Sequence, residues 1–110
     1  MRYEIESALT ANGRSDTLTV KNSPRGNGSN ITKTIFVTGD FRTGTATLQA
    51  TLDDGTTWFN VTNASGNVEF TEDSGVNIDI ASDAENPVKV AINLTGATSP
   101  NLILTVFDAA

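Results

Sequence analysis

The chain has 110 residues, 13 acidic and seven basic side chains and a net charge of −6, enough for one domain that buries about two-thirds of its chain surface and too little for a second core. It contains no Cys and no His, which excludes disulfides, thiolate and imidazole metal sites, thiol nucleophiles and His-based acid–base catalysis. An acidic chain without a Lys/Arg cluster repels phosphate backbones, so no nucleic-acid partner is expected.

Residues 1–55 carry six charges of each sign, whereas residues 56–110 carry one Lys and seven acids. The second half therefore supplies the whole imbalance, as a solvated acidic face would. Thr, Asn, Gly and Ser are abundant and Leu, Lys and Glu scarce, which favours strands and turns over helices. The segment Met1 to Glu6 lacks the apolar core of a signal peptide, and no stretch is long enough to cross a membrane.

In chain order, Tyr3 and Ile5 alternate with Arg2, Glu4 and Glu6, the pattern of a short edge strand. Ala11-Asn12-Gly13-Arg14 is a turn signal, after which Thr17 to Val20 reads as a strand with Leu18 and Val20 inward. Residues 21–30 are polar, with Pro24, Gly26 and Gly28, and predict a flexible surface loop that concentrates Lys21 and Arg25. Those two cations are candidate partner contacts.

Ile31 to Thr38 is rich in β-branched residues and apolar on both faces, Ile31, Ile35 and Val37 on one and Phe36 on the other, as in a central strand ended by Gly39-Asp40. From Gly44 to Leu52 a second strand alternates cleanly. Asp54-Gly55 then predicts a two-residue type I′ turn, in which both central residues take positive φ. The resulting register pairs Leu52 with Thr57, Ala50 with Phe59 and Leu48 with Val61 on one apolar face. The other face receives Thr51 against Trp58, Gln49 against Asn60 and Thr47 against Thr62.

Asn63 to Asn67 turns again, Val68 and Phe70 make a strand, Asp73-Ser74-Gly75 turns, and Val76, Ile78 and Ile80 alternate with Asn77 and Asp79. Residues 81–86 form an acidic connection closed by Pro87, which cannot donate to a ladder. Val88, Val90, Ile92 and Leu94 then face inward. After the Gly96 to Asn101 loop, Leu102 to Phe107 is apolar on both faces, so Phe107 is a third candidate partner contact. Eight to ten short strands without helical periodicity predict a single antiparallel β-sandwich over residues 1–110, of jelly-roll type.

Thr51, Asp53, Gly55, Thr57 and Trp58 occupy the places of an Asp-box, a hairpin signature that the stretch resembles. The resemblance implies a folding device: the Asp accepts backbone N–H bonds, the Gly supplies positive φ and the Trp covers the hairpin end. Other chemistry is thinly represented. Asp53, Asp54, Asp73, Asp79, Asp83 and Glu85 could offer oxygen ligands or paired carboxylates, but their spacing matches no Ca²⁺ loop and they read as solvated acids. No metal and no cofactor is expected. No G-x-S-x-G surrounds any Ser, so an enzyme is not expected either. Trp58 and Tyr3 are the candidates for a sugar-stacking platform. Five Asn-x-Ser/Thr matches, at Asn27, Asn30, Asn60, Asn63 and Asn93, read as coincidence in a chain this rich in those residues.

The run Ala46 to Val61, followed by Val88-Lys89-Val90 and by Leu94-Thr95-Gly96-Ala97 through Ser99-Pro100 to Leu102–Val106, resembles small all-β virion proteins of tailed bacteriophages. The likeness covers residues 44–107. It departs at Asp54, where Gly is frequent, and leaves the first third unmatched. It implies a structural protein that decorates or cements a capsid by binding the major capsid protein, beside neighbouring copies of itself, on the outer surface of the virion after synthesis in the host cytoplasm. The alternative is a carbohydrate-binding module at a fibre or tail tip.

Overall fold

The computed structural model describes residues 2–5, 7–20, 31–53, 55–80 and 88–108. The expectations for Lys21, Arg25, Asp54, Asp83, Glu85, Pro87 and the 21–30 loop lie outside them. The described residues contain no helix and form twelve short strands: β1 (Arg2–Glu4), β2 (Gly13–Arg14), β3 (Leu18–Val20), β4 (Ile31–Asp40), β5 (Thr45–Thr51), β6 (Phe59–Asn60), β7 (Thr62–Asn63), β8 (Gly66–Asn67), β9 (Glu69–Phe70), β10 (Ser74–Ile80), β11 (Val88–Thr95) and β12 (Asn101–Asp108).

Two antiparallel sheets result. The first has the order β1-β12-β4-β10, and the second β2-β11-β5-β6, with β3 also on β11 and β9 also on β5; β7 and β8 make a separate ribbon. The pairs β1 with β12, β3 with β11, β4 with β10 and β5 with β9 are nested along the chain and alternate between the two sheets. Period-two alternation decides what each layer buries. Ile35, Val37, Leu102, Leu104 and Val106 of the first sheet meet Ala46, Leu48, Val90, Ile92 and Leu94 of the second in one core, with the side chains of Phe41, Val68 and Phe70. Large buried aliphatics of this kind each contribute about 1.5–3 kcal/mol relative to exposure.

Between β4 and β5 the chain changes sheet in a tight corner, where Gly44 N–H donates to the Phe41 carbonyl at 2.9 Å and Arg42 and Thr43 take φ of 50° and 65°. Near the N-terminus Ser15 extends the ladder between β2 and β3. Its N–H donates to the Ile92 carbonyl at 2.8 Å and its hydroxyl oxygen accepts the Ile92 N–H at 3.1 Å.

The hairpin after β5 keeps its expected register only in part. Gln49 pairs with Asn60 and Ala50 with Phe59, but the ladder stops there. Residues 52, 53 and 55–58 therefore lie outside the ladder, and Thr51 pairs with Lys89 of β11. Leu52 is 64% exposed and Phe59, on an edge strand at the rim of the core, is 46% exposed, so neither joins the buried face expected of them.

A second departure follows. Val61 N–H donates to the Leu48 carbonyl, Leu48 N–H to the Val68 carbonyl and Val68 N–H to the Val61 carbonyl, each at 2.9 Å. Pairing thus jumps from Val61 to Val68, and Glu69 rather than Thr62 lies opposite Thr47. The intervening polar residues have nothing to bury, and they loop out as the β7–β8 ribbon.

Candidate functional site

The five hairpin residues come together in the loop, and its centre is the Thr51 side chain. Alternation along β5 points Thr51 away from the core, yet it is fully buried because the loop folds back over it. Its hydroxyl donates to Asp53 Oδ1 at 2.7 Å and accepts the N–H groups of Gly55 at 3.0 Å and Asp53 at 3.4 Å. Asp53 Oδ1 also accepts the Thr57 N–H at 2.8 Å, and Trp58 Nε1 donates to the Gly55 carbonyl at 3.1 Å. Gly55 holds φ at +97°, a region that a side chain with a Cβ enters only at a cost.

These bonds fix the chemistry of Asp53. Its carboxyl pKa is lowered, first by the Thr57 N–H, then by the Thr51 and Thr57 hydroxyls, all of which favour the charged form. An ionised carboxylate whose Oδ1 already accepts two donors is a weak base and no proton donor near neutrality. The arrangement is suited to holding a loop.

Trp58 is half-buried, and the Arg14 guanidinium lies 4.4 Å from its ring centroid. Arg14 Nε donates to Gln49 Oε1 at 3.1 Å, and Gln49 Nε2 to Asn60 Oδ1 at 2.9 Å. Arg14 belongs to β2, which pairs with β11, whereas Gln49 belongs to β5 on the far side of β11. The Arg14 side chain therefore crosses the outer face of β11, where Ala91, the partner of Gln49, is fully buried although it lies outside the core cluster. A small residue leaves room for that crossing. Arg14 is the functional-looking side chain that sequence reasoning missed, since it lies 44 positions before Trp58 and only the β2–β11 pairing brings it near.

Tyr3 does not share a platform with Trp58. It lies on β1 in the first sheet, opposite Val106, while the Trp58 cluster belongs to the second. Among the other acids, Asp73 Oδ1 accepts the Gly39 N–H at 2.9 Å, and Asp73 borders an open cleft with Asp40, Arg42 and Glu72. Among the described residues no group of three or more metal-ligating side chains is gathered to hold an ion, and no helix is long and apolar enough to cross a membrane.

Phe107 lies on the outer face of the first sheet. Its ring meets that of Phe36 edge-on with centroids 5.5 Å apart, and both it and Ile103 are more than a third exposed, at 37% and 38%. Thr105, opposite Phe36, is buried. Gly75 of β10 makes the cluster possible, because a Cβ there would sit 2.5 Å from the Phe36 ring. Comparison with protein-family models, curated proteins and solved structures finds no match to this chain.

Proposed function

We propose that the protein is a non-enzymatic structural component of a tailed-phage virion, decorating or cementing the capsid from outside by binding the lattice of the major capsid protein. The observation that carries the reading is the resemblance over residues 44–107, a stretch that here runs from β5 to β12 and so contributes to both sheets. We read the nested strand pairing as a rolled hairpin, the jelly roll, an architecture used in viral capsid and lectin domains alike. Exposed Phe107, edge-on to half-buried Phe36, and exposed Ile103 on the same strand support a protein-binding role, since apolar side chains left on one face of a rigid sheet favour contact with a partner. Many copies on one lattice let modest contacts add through avidity.

The glycan-binding alternative is weaker for a specific reason. Trp58 has its N–H engaged by Gly55 and a guanidinium over its ring, so a sugar would have to displace Arg14 to stack there. The test is to add purified protein to shells that lack it. Binding to saturation with increased resistance to heat supports the proposal, and Phe107→Ser should weaken that binding. Failure to bind shells, with retention on a glycan array, would replace it with the alternative.

A further inference from the structure

The two edges of the first sheet differ in how they guard against further pairing. At one edge β1 is three residues long and charged at Arg2 and Glu4, and short charged edge strands resist addition of another strand. At the other edge β10 is seven residues long and pairs with β4 along its whole length, from Ser74 opposite Val37 to Ile80 opposite Ile31. Among the described residues no strand pairs with its second side. It contains no Pro, Lys or Arg and a single charge, Asp79. Val76 and Ile78 pack against the core but remain half-buried at its rim.

We propose that β10 is the site where two copies of this chain associate, by antiparallel pairing of β10 with β10 of the second copy about a two-fold axis at Asn77. The occupant is a second copy because the middle of the strand is symmetric, with Val76 and Ile78 flanking Asn77, so antiparallel pairing with itself matches apolar residues. Pairing about Asn77 sets Val76 opposite Ile78, Ser74 opposite Ile80 and Gly75 opposite Asp79. Apolar thus meets apolar at the core rim, and the one charge meets glycine instead of itself. It is the register that pairs all seven residues, since Asn77 is the centre of the strand. A two-fold contact of this kind closes, so it makes dimers and not fibres.

An edge about 23 Å long gives an interface smaller than the roughly 1,200–2,000 Å² of stable complexes, so the dimer is weak and reversible. The net charge of −6 on each copy opposes it, so added salt tightens it by screening. The inference rests on the sheet edge alone, and it stands or falls separately from the capsid reading.

The experiment is sedimentation velocity on the full chain from about 1 µM to about 1 mM, a span that covers weak dimers. Wild type should shift from monomer to dimer. Asn77→Lys and Asn77→Glu each place like charges face to face at the axis and should weaken association at least about tenfold, while an equimolar mixture of the two should recover it as a heterodimer. A monomer throughout, a dimer indifferent to both variants, or a mixture that stays monomeric would overturn the proposal. Should either variant fail to fold, amide exchange in wild type decides: β10 amides must gain protection with concentration while β1 amides do not, and unchanged β10 exchange overturns it.

Discussion

Thr51→Val keeps the β-branched shape of a fully buried position and removes one oxygen, so it isolates the hydroxyl. That oxygen donates to Asp53 at 2.7 Å and accepts the Gly55 N–H at 3.0 Å; its 3.4 Å contact with the Asp53 N–H is too long to count for much. Two good bonds at about 1 kcal/mol each, with a further share for the Gly55 N–H left beneath the loop, predict a loss of about 2–3 kcal/mol. Unfolding entropy of about 2.1 cal/mol/K per residue gives roughly 0.23 kcal/mol/K for this chain, so the melting temperature should fall by about 9–13 °C. Thermal denaturation followed by circular dichroism measures it, with Thr51→Ser as the control that restores the oxygen and loses only a methyl. The reasoning fails if Thr51→Val melts within about 2 °C of wild type, or if Thr51→Ser loses as much, which would assign the effect to packing.

Gly55→Val forces a β-branched residue to positive φ and should cost more than about 1 kcal/mol; an unchanged denaturation midpoint would contradict it. Because the Asp53 pKa is lowered in the folded chain, its stabilising contribution is complete above the unfolded value of about 3.9 and is lost as pH falls through the folded value. Asp53→Asn should therefore show a flatter loss of stability on acidification than wild type in urea titrations, and parallel profiles would refute this. Trp58 is the one Trp in the chain, so its fluorescence reports the Arg14 stack directly. Arg14→Ala should shift the emission to the red at a stability cost of about 1 kcal/mol or less; an unmoved spectrum would mean that the guanidinium does not cover the ring.

The long strands were legible, β5, β10 and β11 from their period of two and β4 and β12 as runs apolar on both faces, but β4 runs on through Gly39-Asp40 and β10 begins at Ser74, because pairing with β12 and β4 carries these turn-like residues into the ladder. The hairpin register was legible at Gln49–Asn60 and Ala50–Phe59 for the same reason. The loop was not. The Asp-Gly rule treats the turn as a local matter of φ, whereas here the Thr51 hydroxyl offers the N–H groups of Asp53 and Gly55 a competing acceptor and holds them over the outer face. That fold-back also explains why Thr51, polar and on the outward side of its strand, is fully buried. The excursion at residues 62–67 escaped for a related reason, since Val61, packed against the core, and Val68, buried in it, are the same residue type and alternation cannot tell which one continues the ladder. Arg14 carried no local signal at all.

The outer faces of the two sheets end in different states, and this bears on where a partner binds. On the second sheet Arg14, Gln49, Asn60 and Trp58 satisfy one another in a chain of contacts, and the loop seals Thr51 beneath it. A ligand arriving there must break a cation–π contact and compete with hydrogen bonds already made, so most of what it gains replaces something lost. On the first sheet Phe36, Ile103 and Phe107 still show apolar surface, and covering them removes that surface from water with no bond to break. The Phe36 cluster also borders β10, because Gly75 of that strand seats the Phe36 ring. A second copy paired on β10 would place its own Phe36 three strand spacings across and four residues along, about 19 Å away, on the same outer face. The dimer would then present two such patches on one face, separated by polar residues of β10, so a partner that repeats its site, as a lattice does, should bind the dimer more tightly than the monomer.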